Sequence, residues 1–264
     1  MNIITIIGAG NMGSAIAKKI LQSNFCTAES LCVSDPNAEK LEYFERLGCP
    51  TSTNASDFIA DCDVIILAIK PQKVRELLSE WKKLFSSNVV LCSIAAGISE
   101  LDLQHYSGIE KIIRIMPNTP LLVGEGVCGW HANSSVETHE KDMMQKMLNY
   151  FGLAIECHTE NMIDSITALS GSGPAYYFYV LEQMQVKAEE LGFPSAEAKE
   201  IALQTMRGAG ELAFQSDKSF AELRKNITSP NGTTASAIEF FEKNQLGEIW
   251  KGGIESAYQR SKEL

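Results

Sequence analysis

Apolar residues fall into two regimes along the chain. Up to about residue 160 they come in short runs without period-two alternation, over residues 3–7, 31–34, 64–69, 89–94 and 112–116, all rich in Ile, Val and Leu. Such runs are strands buried on both faces, as in a parallel sheet covered by helices. Between them, residues 14–23, 38–47, 72–85 and 99–106 carry helical spacing. The alternation predicts a doubly wound α/β domain. Residues 127–131 and 153–157 read as a further hairpin-like pair flanking an amphipathic stretch over 135–151.

Past residue 160 no comparable strand-like run recurs. Helices are predicted over 161–169, 174–191, 195–215, 219–226, 234–243 and 247–262. In the stretch ELGFP, Gly192 stands where a helix ends and Pro194 just beyond it. The expected organisation is an α/β domain over 1–160 and an all-helical domain over 161–264, with a tight boundary.

A chain of 264 residues, 45% of them hydrophobic and 21% charged, has room for two such cores. A net charge of -10 argues against nucleic acid or an anionic membrane as partner, because phosphates are repelled overall. No apolar run approaches the ~20 residues of a membrane span, and no leader pattern precedes the first strand-like run, so a cytoplasmic protein is expected. Seven cysteines form no CxxC pair and lie mostly in apolar runs, which reads as buried free thiols. The four histidines lack ligand spacing, so no metal is expected.

Candidate chemistry begins at Gly8-Ala9-Gly10-Asn11-Met12-Gly13, directly after the first strand and opening a helix. In that position GxGxxG is a dinucleotide fingerprint. Gly8 makes the tight turn, Gly10 lets the backbone approach a pyrophosphate, and Gly13 lets helix and strand pack closely. This makes the first domain Rossmann-type. Asp35 ends the second strand and is open to two roles: accepting from a ribose hydroxyl, which favours NADH, or forming a turn with Pro36. Either NADPH or NADH therefore fits. Ala68-Ile69-Lys70-Pro71 places a cation and a helix-starting proline at the carboxyl edge of the sheet, where such sheets bind ligands. Asn118 lies on the loop leaving a strand at that same edge, where it can cap the loop or line the substrate pocket, and its place at that edge favours the pocket. Gly171-Ser-Gly-Pro174 reads either as a helix break with Pro174 at its start or as a place for close approach.

Three further stretches carry a resemblance. Arg114-Ile-Met-Pro117-Asn118-Thr119-Pro120, Leu169-Ser-Gly171-Ser172-Gly173-Pro174-Ala175-Tyr176 and Ser229-Pro230-Asn231-Gly232-Thr233-Thr234 follow GAGNMG in this order. Together they make the chain resemble the pyrroline-5-carboxylate reductases end to end. The resemblance implies reduction of 1-pyrroline-5-carboxylate to L-proline by NADPH or NADH, and a helical domain that interlocks with a second copy in a dimer or higher homo-oligomer. It also implies that Ile7 to Gly13 hold the pyrophosphate, that Asn54 contacts the adenosine side, and that Ala68 to Pro71 lie near the nicotinamide. Ser229 and Asn231 to Thr234 match the substrate-carboxylate loop, with the Thr234 hydroxyl near the ring nitrogen. Asn231 departs from a glycine common there. Asn tolerates the left-handed conformation, so the turn is expected to survive and present the amides of Gly232, Thr233 and Thr234.

Two rivals differ in the residues they need. A β-hydroxyacid dehydrogenase places a catalytic lysine on its interdomain helix, and residues 174–186 contain none. A silent nucleotide-binding regulator is expected to have lost the hydroxyl-rich loop, which is present here.

Overall fold

Eight strands form one sheet in the order β3-β2-β1-β4-β5-β6-β7-β8. They are β1 Ile4–Ile7, β2 Leu31–Ser34, β3 Thr51–Ser52, β4 Val64–Leu67, β5 Val90–Ser93, β6 Lys111–Met116, β7 Gly126–Ala132 and β8 Gly152–Glu156. This computed structural model describes residues 3–264. β1 to β6 are mutually parallel in the doubly wound order, with Ile6 beside both Val33 and Ile66.

The apolar runs are explained by cover on both faces. Ile4, Ile6, Val33, Val64 and Ile66 point to one side, under α1 Asn11–Gln22 and α5 Thr138–Asn149. Ile7, Ile65, Leu67 and Leu91 point to the other, under α3 Pro71–Trp81 and α4 Glu100–Ser107. Each fully buried aliphatic side chain there contributes roughly 1.5–3 kcal/mol of transfer free energy. The expected helix over 38–47 is shorter, a 3₁₀ turn followed by α2 Glu42–Arg46. The two-residue β3 had no apolar run to announce it.

The hairpin-like pair is not a hairpin. β7 runs antiparallel to β6, with Trp130 opposite Ile115, and β8 runs parallel to β7, with Ile155 beside Gly129. The amphipathic helix between them is the reason: α5 carries the chain back to the starting end, which is a crossover connection rather than a tight turn. At the middle of this region a charged cluster ties three elements together. His131 of β7 lies 2.5 Å from Glu100 at the start of α4, and Arg114 of β6 pairs at 2.7 Å with Glu160. Burial pushes the Glu100 carboxyl up, and His131 against it opposes that shift.

The chain divides into two compact units. The first runs past the expected boundary near 160 to Ser172 and takes in Ala257–Leu264 as well. Its last part holds α6 Met162–Ile166, whose Ile163 is buried against Met116 and Cys157, and then a π-helical turn over Thr167–Gly171. What read as a helix break is thus a widened turn in which the Ser172 N–H donates to the Thr167 carbonyl at 2.8 Å.

The second unit, Gly173–Ser256, is all helix. It contains α7 Gly173–Glu190, α8 Ser195–Phe214, α9 Phe220–Asn226, α10 Thr233–Lys243 and most of α11 Leu246–Ser261. Gly192 ends the α7 region with φ at 100°, the left-handed cap foreseen for ELGFP. Within 173–256 only Gly173, Ala198 and Ala202 are buried. Tyr176, Tyr179, Met184, Phe241, Ile249 and Trp250 line an apolar groove of about 740 Å³.

Candidate active site

The glycine loop between β1 and α1 is built as its spacing requires. Gly8 has φ at 102°, and a Cβ there would strike the Ala68 carbonyl; a Cβ on Gly13 would strike the carbonyl oxygen of Gly8. Around Gly10, by contrast, nothing lies within 4 Å of where a Cβ would stand. The two outer glycines are demanded by the fold and the middle one faces open space. The first bond of α1 runs from the Ser14 N–H to the Gly10 carbonyl at 2.8 Å, which leaves the amides of Asn11, Met12 and Gly13 ahead of it without helical acceptors. No acidic residue occupies that first turn. These amides and the helix dipole fit a pyrophosphate.

Ile7, Gly8, Asn54 and Ile69 line a cleft of about 400 Å³ beside this loop, together with Ser34, Pro36 and Thr53. Asn54 accepts from the Ser56 N–H through its side-chain oxygen at 3.2 Å, which leaves its NH2 group to act as a donor. Lys70 is exposed at the N-cap of α3, with Pro71 starting the helix, and the Ala68 N–H is held by the Ile7 carbonyl at 2.8 Å. The far wall of the cleft is the face of α3 formed by Lys73, Leu77 and Trp81. Those residues were not singled out from the sequence, although their i, i+4, i+8 spacing marks one helix face.

Asp35 takes the turn role and adds another. One carboxylate oxygen accepts from the Asn37 N–H at 3.0 Å, the other from the Ala9 N–H at 2.9 Å, and Lys40 Nζ reaches both, at 3.2 and 3.1 Å. A carboxylate offers about four acceptor positions, so little capacity is left for a ribose hydroxyl. The Ala9 amide is likewise spent on Asp35 rather than free for a phosphate.

Asn118 has the bonding of a loop cap rather than the favoured pocket-lining role. It is buried, its Nδ2 donates to the Ser170 carbonyl at 3.0 Å, and its Oδ1 accepts from the Val127 N–H at 2.8 Å. Its polar atoms bind protein backbone.

In the helical unit, the Gly232 N–H donates to the Ser229 carbonyl at 3.1 Å, closing the turn Ser229-Pro230-Asn231-Gly232. Asn231 has φ at 58°. Proline second and positive φ third is the type II arrangement, so Asn here does the work of a glycine. The Gly232 amide is consumed by that closure. The first bond of α10 runs from Ser236 N–H to the Gly232 carbonyl at 3.1 Å, so the amides offered are those of Thr233, Thr234 and Ala235. Ala235 was missed because a residue's place in the first turn depends on where the helix starts. No side chain caps α10 and no acid stands in its first turn, so the end retains its attraction for an anion. Thr234 is half-buried beside it and Ser229 is exposed.

The seven cysteines are all buried and free. Among the described residues no group of His, Cys, Asp and Glu is arranged to hold a metal ion, and no helix is long and apolar enough to cross a membrane.

A mostly parallel sheet in the doubly wound order, with an open glycine loop under a helix N-terminus, defines a nicotinamide-nucleotide oxidoreductase frame. Residues 3–97 match the family model described as NADP oxidoreductase, coenzyme F420-dependent, and residues 160–264 match the model for pyrroline-5-carboxylate reductase dimerisation. The pyrroline-5-carboxylate reductase of Haemophilus influenzae is 34% identical, with 99% of this chain and 97% of that one covered. That of Pseudomonas aeruginosa is 35% identical, with coverage of 99% and 96%. Among solved structures, a pyrroline-5-carboxylate reductase from Coxiella burnetii superimposes with a TM-score of 0.93 at 34% identity, covering 99% of this chain and 98% of its own. The Plasmodium falciparum enzyme, solved with NADP bound, gives 0.88 at 30% identity, covering 99% and 97%. The chain belongs to the pyrroline-5-carboxylate reductase family.

Proposed function

We infer that this protein reduces 1-pyrroline-5-carboxylate to L-proline, the last step of proline biosynthesis, as a homodimer or higher homo-oligomer in the cytoplasm. The observation that carries the assignment of residues is the first turn of α10. A closed type II turn followed by three amides without helical acceptors fits the carboxylate of a small imino acid. Asn11 to Gly13 hold the cofactor's pyrophosphate, the open space at Gly10 admits it, and Asn54 faces its adenosine side. When bound, the reduced nicotinamide supplies a hydride.

The chain's own residues have little acid chemistry to do. The imine nitrogen of the substrate is readily protonated in solution, so no side chain has to deliver a proton to it as a strong acid. The Thr234 hydroxyl, a neutral donor and acceptor, orients that nitrogen rather than serving as a strong acid. Holding the two reactants in contact is worth an effective concentration of roughly 10⁵ M or more in well-aligned systems, so positioning accounts for much of the rate. Self-association covers the apolar groove on the helical unit.

The test is consumption of NADPH or NADH with pyrroline-5-carboxylate by the wild type and by Thr234→Ala. A kcat loss of about tenfold to a hundredfold is expected for an orienting hydrogen bond of this kind. Unchanged turnover removes Thr234 from the mechanism, and oxidation of hydroxy acids with no action on the imine replaces the reading altogether.

A further inference from the structure

Pro174 has no N–H, so the Ser170 carbonyl, its i−4 partner, receives no helical bond from it. The π-helical turn over Thr167–Gly171 immediately before this point already departs from the α ladder. A carbonyl left without a donor where it is partly shielded from water is a defect that proteins repair. Here the donor is a side chain from elsewhere in the sheet-bearing unit. Asn118 Nδ2 donates to the Ser170 carbonyl at 3.0 Å, while Asn118 Oδ1 accepts from the Val127 N–H of β7 at 2.8 Å. With both ends engaged and the residue buried, the orientation of this amide is settled.

We propose that Asn118 is a positioning residue of the reductase: it supplies the hydrogen bond that Pro174 withholds from Ser170, and so holds the π-helical turn against the loop leaving β6. Gly171 of that turn lies on Met116, the last residue of β6, at the carboxyl edge of the sheet where such folds bind their ligands. Asn118 therefore acts on the site through backbone and touches neither substrate nor cofactor. Its activity readout rests on the reductase reading above; its stability readout does not.

The experiment is a cycle of four proteins: wild type, Asn118→Asp, Pro174→Ala and the double variant. Aspartate keeps the acceptor for Val127 but sets a second acceptor against the Ser170 carbonyl, and alanine at 174 restores a backbone donor aimed at that carbonyl. Asn118→Asp is expected to lower the melting midpoint of the cofactor-free protein and to cut kcat by about tenfold, with KM for NADPH within about twofold because the glycine loop is untouched. In the Pro174→Ala background both losses shrink, the kcat loss to about threefold or less. Equal losses in the two backgrounds overturn the proposal, as does wild-type kcat in Asn118→Asp. An effect confined to KM for pyrroline-5-carboxylate also overturns it, since that marks direct substrate contact. If the Asn118 variant folds in neither background, the rescue has failed and the proposal falls with it. Wild-type turnover of pyrroline-5-carboxylate, measured alongside, tests the reductase reading separately.

Discussion

In the sheet-bearing unit Ile20, Leu31, Ile65, Leu91 and Ile112 are wholly shielded from solvent, whereas in the helical unit Phe214 is 89% exposed and Phe220 81%. Both units are rich in apolar side chains, but they use them differently. A sheet with helices on both faces closes its core within one chain, as the two layers around β1 and β4 do. Residues 173–256, with only Gly173, Ala198 and Ala202 buried, leave their apolar surface to be covered by something else. The cofactor features therefore sit on a frame that is complete in itself. The proposed substrate turn sits on a unit with an uncovered apolar groove, and if a second copy covers it, activity is expected to depend on protein concentration through mass action.

The sharpest way to break this contrast is to place a charge on each unit at a position of similar exposure. Ile249→Glu in the apolar groove and Leu101→Glu on α4 are 66% and 75% exposed in the single chain. If a second copy covers the groove, Ile249→Glu buries a charge at a cost on the order of 3 kcal/mol or more per copy. It is then expected to shift the protein to monomer in sedimentation and to abolish turnover. Leu101→Glu is expected to stay within about 0.5 kcal/mol of wild type. Equal behaviour of the two removes the contrast.

Within the frame, the glycines separate folding from binding. Gly13→Ala forces a Cβ onto the Gly8 carbonyl and is expected to cost roughly 2–3 kcal/mol of stability. Gly10→Ala meets nothing in the protein, so its melting midpoint is expected to hold while KM for NADPH rises by about tenfold, an effect of about 1.4 kcal/mol at the pyrophosphate. A smaller effect is expected at Asp35, whose carboxylate braces Ala9, Asn37 and Lys40. Asp35→Asn is expected to raise KM for NADPH and NADH by a similar few-fold factor, leaving their ratio unchanged within about twofold. A selective change for one cofactor returns Asp35 to the ribose.

The thiols give the mildest handle, because all seven belong to the sheet-bearing unit. Burial raises Cys49 and Cys62 from 9.0 to about 11 and Cys128 to about 12. A group whose folded pKa is raised contributes its full stability below the unfolded value. That contribution is lost as pH climbs through the folded one. Denaturant midpoints are therefore expected to be unaffected by the thiols below pH 9 and to fall between about pH 9 and 12. At pH 8 a thiol reagent is expected to react with the native protein far more slowly than with the unfolded chain. Fast labelling of the native state contradicts the closed core.

Much of this was legible in the chain. The unbroken apolar runs could serve only strands covered on both faces, and the glycine spacing after the first of them could serve only a tight turn into a helix. The positive φ of Asn231 followed from its place after Pro230. These are local rules, in which neighbouring residues dictate the backbone. What the chain alone did not reveal were partnerships between distant segments. The return direction of β8 depended on where α5 lay, and the allegiance of Asp35 on a loop amide 26 positions away. The task of Asn118 depended on a carbonyl 52 positions on. A polar side chain advertises its capacity to bond but not its partner, because the partner is chosen by which backbone groups the packed fold leaves unsatisfied beside it.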